Sequence, residues 1–251
     1  MKKRVEFEEG QLEKTVAILL ESTHLKMTKE EIVISMLQNG TNPRTVRAFM
    51  EVPREEFVPP QLKQFAYFNC ALPIGYEQTI SQPEAVLVML DALELQQNHN
   101  VLEIGAGRGY NASLLGKLAR KVTSTEVIPE LVQGSKERLA HLGYSNVSVV
   151  EANRKSIGHP PVAPYDRIVV TAGAERVPIE LINQLAVGGI MIIPNRLTLE
   201  DQGIEDADLM ITYGLWKIKK EESGPTARFL TECNFVPLQY GPEWSVKETK
   251  I

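Results

Sequence analysis

The sequence predicts an α/β fold: a mostly parallel sheet of seven strands with crossover helices, behind an N-terminal helical extension. Three observations predict it. The first sixty residues carry helical spacing, short apolar runs alternate with helical segments from residue 100 onward, and a glycine-rich turn joins the first of those runs to a helix.

In chain order, residues 11–21 (QLEKTVAILLE) and 30–38 (EEIVISMLQ) place apolar side chains three and four apart, with Thr28 as N-cap of the second helix. Gly40 closes that helix, Asn42-Pro43 opens a third through 44–51, and Val52-Pro53 stops it. Residues 61–82 keep neither helical nor strand periodicity; Pro73, Gly75 and the polar residues after them predict an ordered loop, a kind of segment that is often functional. Ser81, with Glu84 three residues on, reads as a capping box ahead of a helix at 85–95. Strands are expected at 100–104, 122–127, 147–151, 166–171 and 188–194, with helices near 110–119, 129–142 and 178–187. Two further β-rich stretches, 207–219 and 227–238, have no convincing helix between them and are expected to pair antiparallel at the sheet edge.

Composition narrows the function classes. A chain of 251 residues, 43% hydrophobic and 24% charged, is long enough for one large domain and is neither collagen-like, coiled-coil nor disordered. Its longest apolar runs fall far short of the roughly 20 residues of a spanning helix, so no membrane association is expected. The acidic N-terminus lacks the apolar core of a signal peptide, and two lone cysteines make no disulfide framework, which predicts a cytoplasmic address. A net charge of −5 argues against nucleic acid as a partner. The four histidines, His24, His99, His141 and His159, have no ligand spacing among themselves or with the cysteines, so no metal is expected.

The strongest local signal is VLEIGAGRGY at 101–110, a strand feeding Gly105, Gly107 and Gly109 and then a helix. Glycine there permits a tight turn and close approach of backbone amides, those of Ala106 included, to a ligand. The spacing G-x-G-x-G, with Glu103 two residues before the first glycine, favours S-adenosylmethionine over NAD: the carboxylate would bind the ligand's ammonium through water or directly and would repel a pyrophosphate. Nineteen residues beyond Gly107 stands Glu126, at the end of the second strand and beside Val127, where a carboxylate can accept from both ribose hydroxyls.

Read together, VPREEFVP at 52–59, AYFNCALPIG at 66–75, QTISQP at 78–83, VLEIGAGRGY at 101–110, LGYSNVSV at 142–149, APYDRIVVTAGAERVP at 163–178, LINQLAVGG at 181–189 and FVPL at 235–238 resemble the protein-L-isoaspartate O-methyltransferases. The resemblance spans about residues 40–240, and QTISQP is its most discriminating piece. It implies a doubly wound, Rossmann-like methyltransferase domain over residues 61–251, with residues 1–60 as the helical extension. It implies transfer of a methyl group from S-adenosylmethionine to the α-carboxyl of L-isoaspartyl residues in proteins or peptides, in the service of protein repair. The family's active-site serine matches Ser81, which would orient the attacking carboxylate, with Thr79 lining the same pocket.

The departures from the family pattern bear on function. Asn153-Arg154-Lys155 stands where the family carries Gly-Asp-Gly, whose aspartate receives the adenine amino group. Arginine has donors only, so that contact falls to the Asn153 carbonyl, or Arg154 lies against the adenine face. Asn69 stands where aspartate is common, and Gly173-Ala174-Glu175 replaces an alanine-rich loop near the substrate. These changes motivate two alternatives: a related carboxyl methyltransferase acting on an aspartyl peptide or small molecule, and a non-catalytic module that has lost its cofactor.

Overall fold

A computed structural model describes residues 6–153, 155–196 and 213–239 of the chain. Three helices come first: α1 (Gln11–Glu21), α2 (Lys29–Gln38) and α3 (Pro43–Glu51). The local chemistry sets their starts. Thr28 accepts from the Glu31 amide at 3.1 Å while the Glu31 carboxylate accepts from the Thr28 amide at 2.7 Å, a closed capping box. Asn42 accepts from the Arg44 amide at 2.9 Å, and Pro43 occupies the first position of α3, where no amide is needed.

The segment expected as a loop over 61–82 is more regular than its sequence suggests. It contains a short 3-10 helix (Pro60–Phe65) and a tight hairpin of β1 (Leu72–Gly75) and β2 (Gln78–Ile80). Strands of four and three residues are too short to show a period, which is why the pattern hid them. Helix α4 runs Pro83–Ala92, with Gln82 as N-cap and no side-chain capping bond. The expected Ser81 capping box is therefore absent. Pro83 starts the helix one turn position too late for Ser81 to cap it, and Glu84 is engaged by Asn69 and Ser35 instead.

The large sheet comprises β3 (Asn100–Ile104), β4 (Lys121–Glu126), β5 (Val147–Glu151), β6 (Tyr165–Val170), β7 (Leu185–Arg196), β8 (Tyr213–Glu221) and β9 (Gly224–Cys233), in the order β5-β4-β3-β6-β7-β8-β9. Its first five members are parallel and β8 and β9 antiparallel, as the alternation of elements predicted. Residues 207–212 of the first expected edge strand lie outside the described residues. The crossovers are α5 (Tyr110–Leu118), α6 (Pro129–His141) and a shorter than expected α7 (Ile179–Gln184), because Leu185 already pairs with Tyr165 in the sheet.

Period-two alternation divides the strand side chains between two faces. Val101, Val169, Ile190 and Ile192 join one buried cluster with Leu19, Ile32 and Phe49 of the three N-terminal helices. Leu102, Ile168, Val170, Met191 and Ile193 join a second cluster with Leu181 and Ile182 of α7. Helices thus cover both faces, and the N-terminal extension shares the core of the sheet.

Candidate active site

From β3 the chain winds outward through β4 and β5, then returns past β3 to β6, so the winding reverses between β3 and β6. Ligands of open parallel sheets bind beyond the carboxyl ends of strands at such a reversal. A cleft of about 700 Å³, including its open mouth, lies there. Strand ends supply Ile104, Gly105, Thr125, Glu126 and Thr171, and the hairpin supplies Ile74, Gln78 and Thr79.

The glycine turn is fixed from below. Gly105, Gly107 and Gly109 all have positive φ, at 98°, 52° and 93°. A side chain at Gly105 would strike Thr171, whose hydroxyl donates to the carbonyls of Ile104 and Gly105. Glu126 ties the turn to β4: it accepts from the Gly107 amide at 2.9 Å and from the Val127 and Ile128 amides at 2.8 and 3.0 Å. Gly105, Gly107, Glu126 and Val127 line the cleft, whereas Ala106 and Gly109 lie outside its lining and shape the turn behind it.

Glu103 needs a correction. It is fully buried beneath the turn, and its two oxygens accept from Asn111 Nδ2 and the Ser124 hydroxyl. It does not line the cleft, so of the two expected routes to a ligand ammonium, direct or through water, the direct one is not available from this position. Burial raises its carboxyl to about 7 against those two hydrogen bonds, with Glu126 adding to the rise.

Thr79 lines the cleft, and Ser81 follows two residues later outside the lining. The Ser81 carbonyl accepts from Arg54 Nη2 at 2.7 Å. Arg54 is fully buried, donates through Nε to the Ala66 carbonyl at 2.6 Å, and lies 4.9 Å from the ring centroid of Tyr110, the first residue of α5. One side chain therefore joins the segment before the hairpin, the segment after it and the helix beyond the glycine turn. Asn69 is explained nearby: its Nδ2 donates to Glu84 at 2.5 Å and its Oδ1 accepts from the Glu84 amide at 3.4 Å. An aspartate there would set two carboxylates against each other.

On the far wall Asn153 lines the cleft, and its Oδ1 accepts from the Lys155 amide at 2.9 Å. Arg154 lies outside the described residues. The sequence reading missed Ser156, Ile157 and Gly158 beside Asn153, and Val236, Pro237, Leu238 and Gln239 opposite. The one sequence signal that could have found them is the glycine at 158, whose φ is 89°; the hold of Gln184, buried in α7, which donates to the Ile157 carbonyl at 2.9 Å and accepts from the His159 amide at 2.8 Å, is tertiary. The 236–239 wall arises from tertiary pairing, with the Gly173 amide donating to Val236 and the Leu238 amide to Gly173, both at 2.8 Å. Among the described residues no group of three or more metal-ligating side chains occurs, and no helix is long and apolar enough to cross a membrane.

Comparison with known proteins agrees with this geometry. The family model described as protein-L-isoaspartate(D-aspartate) O-methyltransferase matches residues 27–240. A protein-L-isoaspartate O-methyltransferase of Ignicoccus hospitalis is 43% identical over 215 residues, covering 84% of this chain and 96% of that protein. A solved protein-L-isoaspartate O-methyltransferase superposes with a TM-score of 0.71 at 27% identity, over 84% of this chain and 65% of that one. A Plasmodium falciparum protein described as a putative member, solved with S-adenosyl-L-homocysteine, shares the fold at a TM-score of 0.69 and 21% identity, over 85% and 99%. With sheet order, glycine turn and hairpin in place and most of its length matched, the chain belongs to the protein-L-isoaspartate(D-aspartate) O-methyltransferase family.

Proposed function

We propose that this chain transfers a methyl group from S-adenosylmethionine to the α-carboxylate of L-isoaspartyl residues in proteins and peptides. The observation that carries the reading is the cleft at the sheet reversal, walled on one side by the glycine turn and Glu126 and on the other by the hairpin that leads into Ser81. The residues present fit the cofactor. A carboxylate suits ribose hydroxyls, Asn153 and Ser156 offer polar contacts, and Ile74, Ile104, Val127, Ile157 and Leu238 supply apolar walls. Bound there, S-adenosylmethionine supplies an electrophilic methyl group.

The acceptor carboxylate is already ionised at neutral pH, so the protein's task is alignment and exclusion of water, with no strong general base. Ser81, not engaged in capping α4 and with its carbonyl held by Arg54, is suited to donate its hydroxyl to that carboxylate, with Thr79 at the cleft wall beside it. The following backbone amide nitrogen would attack the methyl ester, expelling methanol to close a succinimide, and water would open that ring in part to normal aspartate, which is repair. Two free cysteines suit a reducing, cytoplasmic setting for this work.

Incubating the purified chain with an isoaspartyl peptide, the matching aspartyl peptide and methyl-labelled cofactor tests the assignment. Base-labile label on the isoaspartyl peptide alone is expected, and Ser81→Ala is expected to lower turnover at least about tenfold with cofactor affinity unchanged. Label on the aspartyl peptide instead, or no label with cofactor bound, refutes it.

A further inference from the structure

The hairpin wall of the cleft is anchored from outside by the first described residue of the chain. The Glu6 carbonyl accepts from the Tyr76 amide at 2.7 Å, and its carboxylate lies 3.5 Å from Arg108 Nη1. Arg108 belongs to the glycine turn, its side chain is 16% exposed, and the same Nη1 donates to the Ile74 carbonyl at 3.4 Å. Gly75, at φ of 96°, leaves room for this: a Cβ there would stand 2.8 Å from Glu6 Cγ and 2.9 Å from its carbonyl oxygen.

The hairpin needs such an anchor. Its two turn residues, Tyr76 and Glu77, are both non-glycine and both left-handed, at φ of 57° and 60°. Conformations of this kind persist only where surrounding contacts over-determine them. Ile74, Gln78 and Thr79 on either side of that turn line the cleft, and a Cβ at Gly107 would stand 3.2 Å from Ile74 Cδ1.

We propose that Glu6 is a positioning residue for cofactor binding: through Tyr76 and Arg108 it ties the hairpin to the glycine turn and so fixes both walls of the cleft. Glu6 precedes the family match, which begins at residue 27, so the tie belongs to the N-terminal extension. The inference rests on the cofactor reading above and deepens it.

The test compares the full chain with a deletion of residues 1–7, which keeps the Glu8 turn that starts α1, and with Glu6→Ala. Binding and dissociation of S-adenosylhomocysteine and hydrogen exchange at the Tyr76 amide are measured. The deletion is expected to raise the dissociation rate about tenfold and to unprotect the Tyr76 amide, with Glu6→Ala about threefold faster than the full chain. Should the deletion unfold, Glu6→Ala, which keeps the backbone contact, decides by itself. Unchanged dissociation overturns the tie. Failure of the full chain to bind the nucleoside overturns the cofactor reading instead.

Discussion

Glu103 keeps its proton more readily in the folded protein than in the unfolded chain, because burial outweighs the hydrogen bonds from Ser124 and Asn111. Its contribution to stability is therefore fully present below about 4.5 and is lost as pH rises through about 7. The difference is on the order of 3 kcal/mol between those limits. Glu103→Gln mimics the protonated acid, and denaturant unfolding at pH 5 and pH 8 is expected to show this loss in the parent and a flatter profile in the variant. Arg54 presents the opposite case, a buried cation held by two carbonyls and an aromatic face. Arg54→Met would leave both carbonyls without a donor, and a loss of about 2–4 kcal/mol in unfolding free energy is expected. Legibility at this scale was uneven. Gly105, Gly107, Glu126 and Val127 were expected at the cofactor site from the glycine spacing and the strand ends, which are local features, and Thr79 and Asn153 from the family resemblance; all six line the cleft. Glu103 was expected to reach the ligand through water or directly, and its full burial was hidden because sequence shows charge but not depth. Ser156 and Gln239 were missed because neither carries a pattern of its own.

The hairpin is the element whose sequence and structure disagree most. Two-residue turns with both residues left-handed favour Asn-Gly, and this one carries Tyr76-Glu77. Glu77 is exposed, so Glu77→Gly removes backbone strain without removing packing. A gain of about 0.5–1 kcal/mol is expected, read as a melting temperature higher by about 2–3 °C. The helices tell the converse story. Thr28 and Glu31, Asn42 and Pro43 set helix starts where the sequence placed them, since capping needs only neighbours within four residues. At Ser81 the same rule failed: Pro83 shifted the start, and Asn69, distant in sequence, engaged Glu84.

The alternation of short apolar runs and helices predicted a parallel sheet with crossover helices, whereas the strand order, and with it the reversal between β3 and β6 where the cleft lies, is a feature of the structure. Binding at that cleft should stabilise the whole molecule through mass action. At a hundredfold excess of S-adenosylhomocysteine over its dissociation constant, about 2.7 kcal/mol is expected, or roughly 5–10 °C in melting temperature by calorimetry. A chain whose cleft does not take the nucleoside would melt unchanged. What no periodicity disclosed is that α1, α2 and α3 pack into the cluster that also holds Val169, Ile192 and Leu215. During synthesis those helices leave the ribosome well before the strands that complete their packing exist. Their apolar faces must wait, exposed or chaperoned, for most of translation, so the part of this protein made first is among the last to be finished.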